Sequence, residues 1–384
     1  MTALETMQAA YRNRDNLARE HHATGGKVAA YMCDNVPAEM LRAAGVMPYR
    51  LSGDASRSRK EISALIGSVH TTRLVGLEFM DATTARLVAG DLDFVDYLVV
   101  PHNRKQVQVL GVILESIRVN KPEVALPDFH YLDRTYVRDF LTSGYNRKCL
   151  MQLRAKLEEW TGAAISADAM RAAIAEAAET RRLLRELNTL RQGDAPRVSG
   201  VEALEIYGAS HFMEPRTFQA ALAEFIIEAR ARDPLPGVRI YLGGSPLDHT
   251  AFYEIVESAG AVIVAEDHCW GARCAELDID GHDDPFEALA ARFVAQPACS
   301  LRASIDDITR ANVARAAGSG AQGAIYNVMQ GDTPQMWEAP SQLDALRDRG
   351  MPCLHLKRVP YRIEDPAPVA EQVSAFVADL GEAN

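Results

Sequence analysis

Short apolar runs alternate with helical segments at both ends of this chain, and a strand-poor stretch separates the two alternating parts. Short apolar runs are typical of buried strands, and helices between them connect strands that lie parallel. The alternation therefore predicts two parallel sheets covered by helices. A length of 384 residues agrees with two or three domains rather than one small binding module.

The pattern divides the chain into four segments and predicts an α/β fold with two doubly wound, flavodoxin-like or Rossmann-like domains. The segments are an N-terminal helix over 1–24, an α/β domain over 25–130, a helical connecting region over 131–235 and an α/β domain over 236–384. The predicted strands cover 27–33, 46–51, 96–101, 239–246, 261–268, 323–331 and 353–359. Helices are predicted between them, for example over 71–90 and 105–119.

The charge balance restricts the partners. The chain has 41 Lys and Arg against 52 Asp and Glu, a net charge of −11. Nucleic acids and anionic membranes bind clustered positive charge, so neither is expected as a main partner. A local basic pocket for an anionic ligand remains open.

Membrane and disulfide signals are missing from the sequence. No run approaches the roughly 18 apolar residues of a membrane span, and the polar first segment has no signal-peptide core, so we expect a cytoplasmic protein. Six cysteines are too sparse for a disulfide framework and include no CxxC pair. We expect reduced, mostly buried thiols.

Polar loops follow the predicted strands, at the edge where doubly wound sheets bind ligands. Four of them hold most candidate groups: CDNVPAE (33–39), PHNR (101–104), GGSPLD (243–248) and EDHCWG (266–271). The glycine-rich loop lacks both GxGxxG and Walker spacing, so nothing supports a nucleotide site there, and a tight turn explains it. The EDHCWG loop suits acid–base or metal chemistry, and a solvated strand end explains its acids equally well.

Several segments, taken in order, are similar to those of one enzyme family. They are CDNVPAEMLRAAGVMPYRL (33–51), GDLDFVDYLVVPHN (90–103), EEWTG (158–162), RRLLRELNTLR (181–191), YLGGSPLDH (241–249), VIVAEDHCWG (262–271), GAIYNVMQGD (323–332) and RGMPCLHL (349–356). The chain resembles the 2-hydroxyacyl-CoA dehydratase family, which includes the paired subunits of benzoyl-CoA reductase. The resemblance implies a CoA-thioester substrate, a homologous sister subunit in a hetero- or homo-oligomer, and an ATP-dependent, ferredoxin-linked activator.

The resemblance also implies a [4Fe-4S] cluster, held by cysteines on three strand-end loops. Cys33 stands at the first of these positions, whereas Arg104 and Gly331 stand at the other two. Arginine and glycine supply no iron ligand, so binding of a full cluster by this chain alone is not expected. A rearranged site of Cys33, Cys269 and His102 is the alternative.

Further roles follow from the resemblance and from the strand-end positions. Glu39 and His102 are predicted catalytic residues, although a helix first-turn acid and a histidine contacting backbone explain them as well. The predicted substrate-binding residues are Arg104, Ser245, Asp267 and His268, and the predicted metal ligands are Cys33 and Cys269.

Two main functional hypotheses remain at this stage. The chain is either a subunit of a CoA-thioester dehydratase or reductase complex acting by one-electron chemistry, or a cluster-free binding or scaffold paralogue of that family. An independent enzyme that uses the EDHCWG acids is a third possibility.

Overall fold

Two four-stranded sheets, each flanked by helices, form the framework of the protein. The computed structural model describes residues 1–69, 77–102, 105–135, 140–279, 282–300 and 302–382. Every strand pair in these ranges is parallel. The α/β class predicted from the alternation of strands and helices is therefore confirmed.

The first sheet has the strand order β2-β1-β3-β4. Its strands are β1 (Val28–Tyr31), β2 (Met47–Arg50), β3 (Tyr97–Pro101) and β4 (Asp128–Leu132). The chain winds outward from β1 to β2 and then crosses back to β3, so the direction of winding changes between β1 and β3. Ligand crevices of such sheets lie beyond the carboxyl ends of the strands at this point.

The second sheet repeats this arrangement in the order β6-β5-β7-β8. Its strands are β5 (Val238–Gly244), β6 (Ala261–Glu266), β7 (Gly323–Met329) and β8 (Cys353–Val359). All residues of β6 and β7 are buried, as expected for parallel strands covered on both faces. The switch point of this sheet lies beyond the ends of β5 and β7.

Helices cover both sheets and fill the stretch between them. They are α1 (Ala3–Arg12), α2 (Arg14–Ala23), α3 (Ala38–Ala43), α4 (Arg59–Val69), α5 (Glu78–Ala89), α6 (Lys105–Asn120), α7 (Phe140–Thr161), α8 (Ala167–Thr189), α9 (Gly200–Ala209), α10 (Pro215–Ala231), α11 (Ala251–Ser258), α12 (Pro285–Ala295), α13 (Ile305–Gly318), α14 (Thr333–Arg347) and α15 (Ala367–Glu382). Within the described ranges, none of them has the length and apolar character needed to cross a bilayer.

Two sequence predictions differ from these helices. The single helix predicted over 1–24 consists of α1 and α2, which meet at Asn13. Of the helix predicted over 71–90, the structure contains α5, and 71–76 lie outside the described residues.

One hydrophobic core connects the two sheets. The same cluster contains Val28 and Leu98 from the first sheet and Ile240 and Ile325 from the second. The hydroxyl of Tyr11 on α1 also donates a hydrogen bond to the carbonyl of Asp248, which follows β5 (2.6 Å). The shared core therefore packs the two sheets together, and Tyr11 ties α1 to the segment after β5.

Candidate functional site

A cleft lined by arginines lies at the carboxyl edge of the first sheet. Its cavity volume is about 140 Å³. We call it the arginine cleft after six of its lining residues: Arg42, Arg50, Arg181, Arg273, Arg292 and Arg302. Only three carboxylates share the described lining, those of Asp34, Glu39 and Glu176. The cleft is therefore a cationic region in a chain of net charge −11, as an anionic ligand requires.

A second, more apolar cavity adjoins the cleft and lies between the carboxyl edges of both sheets. Its cavity volume is about 50 Å³. We call it the thiol chamber because Cys33, Cys269 and Cys299 line it. Its apolar wall consists of Leu51, Leu77, Phe79, Met80, Val107, Pro246, Trp270 and Met329.

Four residues form a wall common to the two cavities: Cys33, Asp34, Arg50 and Arg273. Cys33 follows β1 and has a positive φ of 59°, a backbone conformation that non-glycine residues rarely adopt. Such conformations persist where surrounding contacts hold them. The junction of the two cavities thus carries one thiol, one carboxylate and two guanidinium groups.

The loop that contains Cys33 is held by Arg302. Two nitrogens of Arg302 donate to the two carboxylate oxygens of Asp34, both at 3.0 Å, and Nη1 also donates to Asn35 Oδ1 (2.8 Å). Burial alone raises the pKa of Asp34, but Arg302, together with Arg273 and Arg50, more than offsets this and holds that pKa well below its usual range. A bidentate pair of this kind fixes orientation as well as charge, so it positions the backbone of the neighbouring Cys33.

Arg50, the last residue of β2, is buried at the centre of the site. Its Nη2 donates to the thiol sulfur of Cys269 (2.9 Å) and its Nη1 to the carbonyl of the same residue (2.8 Å). The guanidinium stacks 4.2 Å from the ring centroid of Trp270. Nη1 also lies 2.8 Å from His211 Nε2. Burial and Arg50 keep the pKa of His211 well below its usual value, so the neutral imidazole accepts this hydrogen bond.

Glu39, a predicted catalytic residue, lies in the arginine cleft on the first turn of α3. Its carboxylate accepts a hydrogen bond from Arg181 (2.9 Å) and lies 3.7 Å from Arg292. Burial raises its pKa, but the two arginines more than offset this and lower it. Glu39 is therefore ionised at neutral pH and is suited to accept a proton or pair with a cation, not to donate a proton.

The predicted residues of the EDHCWG loop lie at the thiol chamber. Asp267 is paired with Arg273 (3.0 Å), and His268 Nε2 lies 2.6 Å from the hydroxyl of Tyr253. Burial lowers the pKa of His268 to about 4, so its imidazole is neutral at pH 7.

Two other predicted residues lie elsewhere. Ser245 lines neither cavity: its hydroxyl donates to Asp332 (2.8 Å) and accepts from the backbone of Met329 (2.9 Å), which ties β5 to β7. His102 also lines neither cavity and contacts Asp133 through Nδ1 at a partly exposed position. Arg104 lies outside the described residues.

Comparison with known proteins identifies the family. Residues 33–380 match the model of the 2-hydroxyglutaryl-CoA dehydratase D-component family. The chain belongs to this family. It is 23% identical to one of the subunits of benzoyl-CoA reductase of Thauera aromatica over 367 residues, which cover 92% of the chain and 91% of that protein. It is 30% identical to "Putative dehydratase subunit YjiM" of Escherichia coli (strain K12) over 156 residues, 38% of the chain and 40% of that protein.

Members of this family form multi-subunit dehydratase or reductase complexes that act on CoA thioesters, and they typically bind an iron–sulfur cluster. The residues of the thiol chamber do not fit such a cluster. The sulfur of Cys269 accepts a hydrogen bond from a cation, and a second guanidinium, that of Arg273, lines the same space. Across the described ranges, no three His, Cys, Asp or Glu side chains converge as metal ligands. Iron–sulfur clusters need several thiolates directed at the iron atoms.

Proposed function

We propose that this chain is the substrate-shaping subunit of a dehydratase or reductase complex that acts on a CoA thioester. The junction of the two cavities is the observation that supports this proposal. An apolar chamber suits an acyl group, and the adjoining cationic cleft suits a polyanion such as CoA. The thioester carbon then lies at the common wall, near Cys33 and Arg50.

The chemistry proposed at this wall is one-electron reduction. One electron added to the thioester carbonyl gives a ketyl radical anion, whose negative charge is concentrated on oxygen. A buried guanidinium such as that of Arg50 stabilises such charge more strongly than water does, because the site is already oriented and has a low dielectric constant. We assign the cluster to a homologous sister subunit and the electron supply to an ATP-dependent, ferredoxin-linked activator.

Calorimetric titration with valeryl-CoA tests the binding site. We expect the wild-type protein to bind it and Arg50→Gln to weaken binding about tenfold or more, because one charge-assisted contact is lost. Arg310→Gln is the matched control, since Arg310 is exposed on α13 and pairs only with the neighbouring Asp307 among the described residues. Unchanged affinity in Arg50→Gln removes that residue from the site, and no binding of CoA thioesters to the wild type contradicts the proposal. Arg104→Ala tests the predicted role of Arg104 in the same titration.

The second candidate is a scaffold role without catalysis. The hydrogen bond from Arg50 to the sulfur of Cys269 favours it, because a thiol held by a cation is poorly placed to bind iron. Iron and acid-labile sulfide analysis separates the two candidates. We expect the isolated chain, purified anaerobically, to contain well under one cluster, and a complex with a sister subunit, detected by native mass spectrometry, to contain iron. A complex that forms without iron supports the scaffold role. About four irons and four sulfides per isolated chain, lost in Cys33→Ala and in Cys269→Ala, contradict both assignments.

A further inference from the structure

Three arginines surround a single carboxylate on the α3 side of the arginine cleft. Glu39 is hydrogen-bonded by Arg181 and approached by Arg292, and Arg42 lines the same part of the cleft one helical turn after Glu39. Arg292 also donates through Nε to the carbonyl of Leu277 (3.2 Å). Asp278 also pairs with Arg181, and Glu176 shares the lining of the cleft. Among the described residues, however, neither Arg42 nor Arg292 is hydrogen-bonded to a carboxylate.

Arg181 provides a second observation, independent of the charge count. Its Nε donates to Asp278 (2.7 Å) and its Nη1 to Glu39 (2.9 Å), while its Nη2 is buried and has no hydrogen-bond partner in the described structure. The side chain of Arg181 is 7% exposed. A buried donor without a partner costs free energy unless a ligand satisfies it.

The electrostatic surroundings of Arg42 and Arg292 also favour a bound anion. Burial lowers the pKa of Arg42 and of Arg292, and the nearby acids compensate only in part. For Arg292 the neighbouring Arg181 lowers the pKa further. A bound anion raises the pKa of both arginines, because it stabilises the charged guanidinium.

We propose that Arg42, Arg181 and Arg292 form an oxyanion subsite that binds a carboxylate or phosphate group of the substrate. Guanidinium groups match both groups, because their planar fork donates two parallel hydrogen bonds. The inference rests on the proposed function and adds a substrate class to it. In the orientation proposed above, the phosphates of CoA are the group that reaches this part of the cleft. A second carboxylate on the acyl chain reaches it only if the thioester binds in the reverse orientation, with its acyl chain in the arginine cleft.

Four probes distinguish the sources: glutaryl-CoA, valeryl-CoA, valeryl-pantetheine and inorganic phosphate. Glutaryl-CoA and valeryl-CoA have acyl chains of equal length and differ in a terminal carboxylate, and valeryl-pantetheine lacks the CoA phosphates. Each is titrated into the wild type, Arg42→Gln and Arg292→Gln. Arg182→Gln is the control, since Arg182 adjoins Arg181 on α8 but is 52% exposed and pairs with Glu179 and Glu186 on the surface.

We expect each cleft variant to weaken glutaryl-CoA binding about tenfold or more. An acyl carboxylate is the bound group if valeryl-CoA is weakened less than about twofold. The CoA phosphates are the bound group if both CoA esters are weakened equally and valeryl-pantetheine is unaffected. The inference is overturned if the cleft variants bind both CoA esters as Arg182→Gln does.

Inorganic phosphate keeps the inference testable even if no thioester binds. We expect phosphate to raise the melting temperature of the wild type and of Arg182→Gln, and to raise that of Arg42→Gln and Arg292→Gln clearly less. Equal shifts in all four proteins count against the subsite. Loss of thioester binding with a retained, arginine-dependent phosphate effect refutes the proposed function but not the subsite.

Discussion

Replacing Arg191 by methionine is expected to lower the free energy of unfolding by about 3–5 kcal/mol, the cost of leaving a buried charge without its partner. Arg191 makes two hydrogen bonds to the carboxylate of Glu266, at 3.0 and 2.6 Å, and a third to the carbonyl of Ile263 (3.0 Å). The side chains of the pair are 0% and 1% exposed. Methionine fills much of the space but leaves the Glu266 carboxylate unpaired. Urea unfolding at pH 7 measures the change.

Arg182→Met is the control for this prediction. Arg182 is also paired with carboxylates, those of Glu179 and Glu186, but on the surface of α8. Exposed pairs contribute about 0–1 kcal/mol, so we expect a loss of that size. Equal losses in the two variants refute the assignment of a stabilising role to the buried pair.

The stability of the protein is expected to fall as the pH falls from about 6.5 to about 4, and His268 accounts for a large part of the loss. The pKa of His268 is about 4 in the folded protein because of burial, whereas an unfolded histidine has a pKa of about 6.5. Between these values the unfolded chain binds one proton more than the folded chain, so acid favours unfolding. A difference of this size corresponds to about 3 kcal/mol at pH 4.

Urea unfolding of the wild type and of His268→Gln between pH 7 and 4.5 tests the assignment. Glutamine does not titrate, so we expect the variant to lose about 2–3 kcal/mol less than the wild type over this interval. His282→Gln, at an exposed position, is expected to follow the wild-type profile. Parallel profiles of the wild type and His268→Gln exclude His268 as the source.

The fold was largely predictable because central parallel strands are apolar throughout. The strands predicted over 239–246 and 323–331 correspond to β5 and β7, the two central strands of the second sheet. In contrast, the sequence does not predict β4, which lies at a sheet edge and exposes Asp128 and Tyr131. Only Leu132 of its five residues is buried, so the sequence of β4 lacks the apolar run of a strand that is covered on both faces. Helix α14 contains Pro340 in its interior, although proline usually ends or kinks a helix.

The site was predictable where its residues follow strands and not where they come from distant helices. The strand-end rule identified Cys33, Asp267 and His268, which do line the cavities. It missed Arg181 and Arg302, whose partners Glu39 and Asp34 are 142 and 268 positions away in the sequence. No local pattern distinguishes these arginines among the 41 basic residues. Arg181 reaches the cleft because α8 packs against α3, and Arg302 reaches it because the segment between α12 and α13 contacts the loop after β1.

The common strand order of the two sheets makes each half a topological copy of the other. Corresponding strands end in different chemistry: Cys33 follows β1, and Ser245 follows β5. Similarly, Ser52 follows β2, and Asp267 follows β6. The strand topology repeats, but the nucleophilic and acidic groups at its edges do not. A repeated topology alone would allow a ligand between the halves to bind in two equivalent orientations. Because the two faces carry different groups, the orientations are not equivalent, and only one of them is productive.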